Sequence, residues 1–99
     1  MRNEYIVKIR LNRRTFNRVV IDDHYSIKHS RVMSDALILR LCKSLDGEVL
    51  DYKSVTREGW QIMVKDPLFF EDKLYRVVLC THPDEKYIGV INAFRRTDG

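Results

Sequence analysis

The stretch SDALILRLCKSLDG, residues 34–47, decides the fold, because the hydrophobic periodicity of the chain changes there. Ser34 is a favoured helix N-cap residue, and Asp46-Gly47 is a favoured helix stop. Between them the apolar residues recur at three- and four-residue spacing, as on one side of a helix: Leu37, Ile38, Leu41, Cys42 and Leu45. The stretch therefore predicts an amphipathic helix over roughly residues 35–45.

Before this helix, apolar and polar residues alternate as they do in half-buried strands. The alternation covers residues 5–11, a polar turn follows at 12–15, and residues 16–21 suit a partner strand. Asp22 and Asp23 then supply an N-cap and a favourable negative charge for a short helix that carries residues 24–29.

After Gly47 the hydrophobic period is two. Residues 48–55, 60–64, 75–81 and 88–95 are predicted strands, with turns at 66–67 and 82–85. The predicted order is β-β-α-α-β-β-β-β. It indicates an α+β domain in which one or two N-terminal helices pack on a mostly antiparallel sheet of four to six strands.

Length and composition indicate one domain, residues 1–99, with 44% hydrophobic and 32% charged residues. The longest apolar runs, 36–39 and 77–80, are too short to span a membrane, so no membrane partner is expected. Glu4 near the N-terminus argues against a signal peptide. Cys42 and Cys80 lie in apolar elements, so we expect two reduced core thiols in a cytoplasmic protein.

Positive charge is concentrated in the first half of the chain. Residues 1–45 carry ten lysines and arginines against four acids, whereas residues 46–99 carry eight against ten. Such a one-sided field attracts polyanions, and RNA is the partner that we expect. Arg13, Arg14 and Arg18 are the predicted substrate-binding residues of this basic region.

The segment HYSIKHS, residues 24–30, supplies candidate acid-base groups. Cleavage of RNA at a 2′-hydroxyl needs a general base, a general acid and positive charge on the phosphorane. His29 is the candidate acid or base, because the neighbouring ammonium of Lys28 disfavours a permanently protonated imidazole. Lys28 or Arg76 would then contact the phosphate as a further catalytic group.

The closing predicted strand offers the remaining candidates. Arg95 is a candidate catalytic residue, and Arg96 would help to bind the substrate phosphate. Asn92 and Thr97 are candidates for holding a non-bridging oxygen. Strand alternation places Asn92 and Arg95 on opposite sides, so they share a site only if a bulge or the strand end redirects one of them.

Several of these segments resemble a known superfamily. They are Lys28-His29 on an early helix, SDALI at 34–38, YRVV at 75–78 and GVINAFRR at 89–96. Together they resemble the small ribonuclease-toxin fold shared by barnase, EndoU, colicin nuclease and RelE domains, in its phage and toxin branches. The resemblance covers about residues 22–97.

The resemblance implies metal-independent RNA cleavage without a cofactor, and an antitoxin or immunity protein as a partner. It also implies a helix histidine across from a strand arginine, which favours Arg76 and Arg95 beside His29.

Other interpretations remain open. The same scaffold would serve as a non-catalytic RNA- or protein-binding module, in which Arg76 pairs with an acid and Asn92 ties down a backbone group. Cys80 and His82 share a strand side and would supply two zinc ligands, but the spacing matches no standard site. Phe69-Phe70, in a predicted loop, would stack on bases or fold over the sheet.

Overall fold

The protein is described from a computed structural model, which covers residues 2–22 and 33–96. In chain order the elements are β1 (Arg2–Leu11), β2 (Arg14–Asp22), α1 (Asp35–Lys43), β3 (Ser54–Val55), β4 (Gln61–Phe70), β5 (Lys73–Thr81) and β6 (Tyr87–Arg95).

The strands form one six-stranded sheet in the order β1-β2-β6-β5-β4-β3. All neighbouring strands are antiparallel except β2 and β6, which run parallel from the Arg18–Tyr87 pair to the Ile21–Val90 pair. The last strand therefore returns to the N-terminal hairpin and lies at the centre of the sheet.

The predicted α+β class is wrong, because strands dominate the described residues and α1, with nine residues, is the one helix among them. Long hairpins extend four strands to nine or ten residues, so a single mixed sheet forms most of the fold. The predicted strand at 48–55 shrinks to Ser54–Val55. The predicted helix at 24–29 lies outside the described residues.

The main helix forms for the reasons visible in the sequence. Ser34 caps it, with Oγ accepting a hydrogen bond from the Leu37 amide at 3.1 Å. The helix ends two residues before the predicted limit, and Gly47 follows with a φ of 90°. Its amide donates to the Arg10 carbonyl at 2.6 Å, which ties the end of the helix segment to β1.

Two tight turns determine the hairpin lengths. Asn12-Arg13 and Glu71-Asp72 all have positive φ, as two-residue hairpin turns require. The Asp66-Pro67 turn expected from the sequence is wrong: these residues form a register shift inside β4. A bulge accommodates proline because the extra residues leave the regular hydrogen-bonding ladder.

The sheet has two different sides. The helix-side face carries the core, in which buried strand residues pack with Ile38, Leu41 and Cys42 of α1. On β5 the buried residues Tyr75, Val77 and Leu79 belong to this face. The alternating residues Arg76, Val78 and Cys80 are half-buried on the opposite side, which we call the open face.

The two cysteines lie on different sides of the sheet. Cys42 is a core residue as predicted, whereas Cys80 is half-buried on the open face, so its predicted core position is wrong. Both are free thiols. Burial raises the pKa of the Cys42 thiol to about 12.

Alkaline pH should therefore weaken the fold through Cys42. The unfolded thiol ionises near 9 while the folded thiol keeps its proton to about 12, so this contribution is complete below pH 9 and declines above it. Within that window the free energy of unfolding should fall by about 1.4 kcal/mol per pH unit more steeply in the wild type than in Cys42→Ala. Denaturant titrations from pH 8 to 10.5 measure how steeply the free energy of unfolding falls with pH in each protein. Equal slopes would contradict the raised pKa of Cys42.

Candidate functional site

The outer sides of β1 and β2 make one flank of the open face basic. Ile9 and Leu11 are buried in the core, so alternation directs their neighbours outward on β1: Arg2, Glu4, Ile6, Lys8 and Arg10. Arg18 of β2 stands in register with Ile6 on one side and Tyr87 on the other. This part of the open face therefore carries more positive than negative side chains. The four cations are Arg2, Lys8, Arg10 and Arg18, and the two acids are Glu4 and Asp22.

A pocket of about 400 Å³ opens on the same face. We call it the aromatic pocket, and its lining consists of Arg2, Val20, Asp22, Trp60, Cys80, Tyr87, Gly89, Val90 and Ile91. Gly89 forms its floor, in register with Val20 on β2 and Cys80 on β5. A Cβ at position 89 would lie 2.6 Å from the Cys80 Sγ, so glycine leaves room for this sulfur at the floor of the pocket.

Aromatic rings form one wall of the pocket. The Trp60 ring lies 5.9 Å from Tyr87 and makes an edge contact with His82 at 5.0 Å. His82 Nε2 lies 2.8 Å from the Glu58 carbonyl, and its Nδ1 accepts a hydrogen bond from the Asp84 amide at 3.1 Å. These two bonds suit the neutral imidazole with its proton on Nε2, so His82 anchors the loop that carries Trp60.

Arginines surround Tyr87. The guanidinium carbons of Arg2 and Arg18 lie 5.8 and 5.9 Å from the centre of its ring, within the range of cation–π attraction. Arg2 also donates to the Tyr87 hydroxyl at 3.5 Å, and Arg18 pairs with Glu4 at 3.1 Å. The result is an aromatic surface bordered by positive charge.

A second charged cluster, the arginine–aspartate cluster, consists of Asp66, Arg76 and Arg96. Arg96 donates to one carboxylate oxygen of Asp66 at 2.6 Å, and Arg76 lies 3.9 Å from the other. The Arg76 Nε is buried without a hydrogen-bond partner among the described residues. Four residues separate Arg76 from Cys80 along β5, so the cluster lies about 13 Å from the pocket on the same face.

The structure separates the two strand arginines that the sequence placed in one active site. Arg95 pairs in register with the buried Tyr75, which is a position of the helix-side face. Arg76 pairs with Phe94 and belongs to the open face. Strand alternation directs Arg76 and Arg95 to opposite sides, so Arg96, and not Arg95, is the arginine of the closing segment that lies beside Arg76. His29, Lys28 and Thr97 lie outside the described residues.

Asn92 belongs to the open face, opposite Val78, and its Oδ1 accepts a hydrogen bond from the Ala93 amide at 2.9 Å. The interpretation of Asn92 as a backbone anchor is confirmed. The β6 register shifts beside it, as a bulge does.

The predicted basic trio of the N-terminal hairpin does not form one surface. Arg14 donates to the carbonyl oxygens of His82, Pro83 and Glu85 at 3.0 to 3.3 Å, so it holds a turn together. Arg13 occupies the hairpin turn. Of the three, Arg18 alone is placed beside the aromatic pocket.

Sequence reasoning missed most of the pocket. Arg2, Trp60 and Gly89 were not singled out, although the period-two pattern and a lone glycine in a strand mark an open side and a close approach. Phe69-Phe70 is the end of β4 rather than a loop, with Phe69 67% exposed on the open face.

Two other findings concern metal ligands and membrane-crossing helices. Among residues 2–22 and 33–96, no three His, Cys, Asp or Glu side chains are grouped as a metal site would require. In that same part of the chain, no helix combines the length and hydropathy of a membrane-crossing segment.

Comparison with protein-family models, with curated proteins and with solved structures gave no match for this chain. The resemblance to ribonuclease toxins therefore stays a prediction from the sequence.

The floor of the pocket can be tested by a double-mutant cycle. Gly89→Ala should destabilise the fold by about 1–3 kcal/mol, because the new methyl group overlaps the Cys80 sulfur. In a Cys80→Ala background the same change should cost much less, since the other neighbours of that Cβ are at 3.8 Å or more. Chemical denaturation of the four proteins measures the coupling free energy between positions 89 and 80. Additive losses of stability would show that a Cβ at position 89 does not contact the Cys80 sulfur.

Proposed function

We propose that this protein binds single-stranded RNA across the open face of its sheet. The observation that carries the proposal is the aromatic pocket, in which Trp60 and Tyr87 stand beside two arginines. Proteins that bind single strands combine aromatic rings for base stacking with positive charge along the backbone path.

The second charged cluster extends this path. Arg76 and Arg96 together exceed the single negative charge of Asp66, and the charges of Lys53 and Asp51 offset each other in the lining of the adjoining pocket of about 350 Å³. A strand whose base enters the aromatic pocket would meet this positive charge about 13 Å away along β5. Two binding points on one side of the sheet suit an extended strand, since the bases of a duplex are not exposed for stacking.

We place this activity in the cytoplasm. Cys42 and Cys80 are free thiols on opposite sides of the sheet, and reduced thiols are typical of reducing compartments.

Replacing one arginine of the pocket rim should weaken RNA binding in a salt-dependent way. Arg18→Gln should lower the affinity for a fluorescent single-stranded RNA and reduce the slope of log K against log salt by about 1. Arg40→Gln is the matched control, because Arg40 lies on α1, contacts Phe70 and pairs with Glu71 away from the open face. Fluorescence anisotropy from 50 to 300 mM salt measures both. Equal loss in the two variants, or no binding by the wild type, would overturn the proposal.

Metal-independent RNA cleavage is the second candidate. The arginine–aspartate cluster supports it, because two guanidinium groups on the open face would supply the positive charge that a phosphorane needs. His29 would act as the acid or base in this reaction. A partner such as an antitoxin or immunity protein would then act by covering the open face.

Cleavage is tested in EDTA with purified protein and end-labelled RNA. The expected products carry 2′,3′-cyclic phosphate ends, and His29→Ala should slow the reaction by about 10²–10⁴, as loss of one acid-base group does. His24→Ala is the matched control from the same segment. RNA that binds without being cut would reduce the function to binding alone, and equal loss in both variants would contradict the acid-base role of His29.

A further inference from the structure

We infer that the aromatic pocket is a guanine-selective base site. This inference rests on the proposed RNA-binding function and names the base that the pocket takes. Three observations carry it: the volume of the pocket, its aromatic wall, and an arginine and an aspartate that stand side by side at its rim.

The shape of the pocket suits one base. Its volume of about 400 Å³ exceeds that of a purine, and Gly89 adds no side chain of its own to the floor, where the Cys80 sulfur lies. Trp60 and Tyr87 contribute aromatic rings to the lining, while Val20 and Ile91 add apolar surface. A planar base would therefore exchange water contacts for aromatic and apolar ones.

The hydrogen-bonding groups at the rim distinguish among bases. Arg2 and Asp22 are partners in the antiparallel β1–β2 register, so they stand side by side on the open face. Both line the pocket. A guanidinium donates only and a carboxylate accepts only, so together they present a donor group next to an acceptor group.

Guanine matches this pair. Its N1–H and N2 amino group are adjacent donors that a carboxylate accepts together, and its O6 and N7 are acceptors for an arginine. Adenine and cytosine would each place a ring-nitrogen acceptor against Asp22, and uracil would offer a single donor between two carbonyls. A carboxylate has about four lone-pair positions, so other bonds of Asp22 do not prevent this contact.

Intrinsic fluorescence makes the test direct, because Trp60 is the single tryptophan of the chain and lines the pocket. Titration of the full chain with GMP should change Trp60 emission and give an affinity at least about tenfold higher than AMP, CMP or UMP, as one bidentate contact supplies. Equal affinities for the four nucleotides would overturn the inference.

A single substitution should convert the selectivity. Asp22→Asn replaces one acceptor oxygen by a donor amide, which suits xanthine, since xanthine carries a carbonyl where guanine carries the 2-amino group. Asp22→Asn should therefore lose GMP binding and gain XMP binding, whereas Asp72→Asn, the same change in the turn between β4 and β5 and outside the pocket lining, should keep the wild-type preference. Loss of GMP binding without any gain for XMP would contradict a direct contact by Asp22.

The outcomes separate this inference from the proposed function. RNA binding at the open face without base preference would leave the proposed function in place and refute the guanine site. GMP binding without affinity for any RNA strand would support the base site and refute the RNA-binding proposal. Failure of both titrations would refute both.

Discussion

The parallel pairing of β2 with β6 is the interaction on which the rest of the structure depends. It joins the N-terminal hairpin to the strands that follow the helix, over the pairs from Arg18–Tyr87 to Ile21–Val90. Parallel strands need a crossover connection, and between β2 and β6 the chain forms α1 and the strands β3, β4 and β5. Without this pairing the basic hairpin and the aromatic residues would belong to separate sheets.

The sheet that this pairing completes has an apolar side and a side that carries charged residues. The helix-side face takes the large aliphatic residues and α1, so hydrophobic burial stabilises it. The open face keeps half-buried apolar residues beside arginines, because no helix or strand of the described residues packs across it. Gly89 stands between Val20 of β2 and Cys80 of β5 on that side, and the absence of a side chain there leaves room for the Cys80 sulfur at the floor of the pocket.

Sequence patterns predicted local structure well. The helix cap at Ser34, the alternation of β1 and the anchoring role of Asn92 are all local, since each involves residues within a few positions of one another. The prediction of an α+β fold was wrong because the spacing of apolar residues does not show how many residues each strand of a hairpin contains. Pro67 suggested a turn, yet its strand continues through a bulge to Phe70.

What the sequence determined by itself is the set of amphipathic elements and the basic charge of the first half, because both follow from residue types at fixed spacing. What only the tertiary structure decided is which charges meet. Arg76 meets Arg96 and not Arg95, and Arg2 meets Tyr87 across 85 positions of the chain. Strand order and register determine these contacts. Both depend on pairing between segments that are far apart in the chain, which no local sequence pattern encodes.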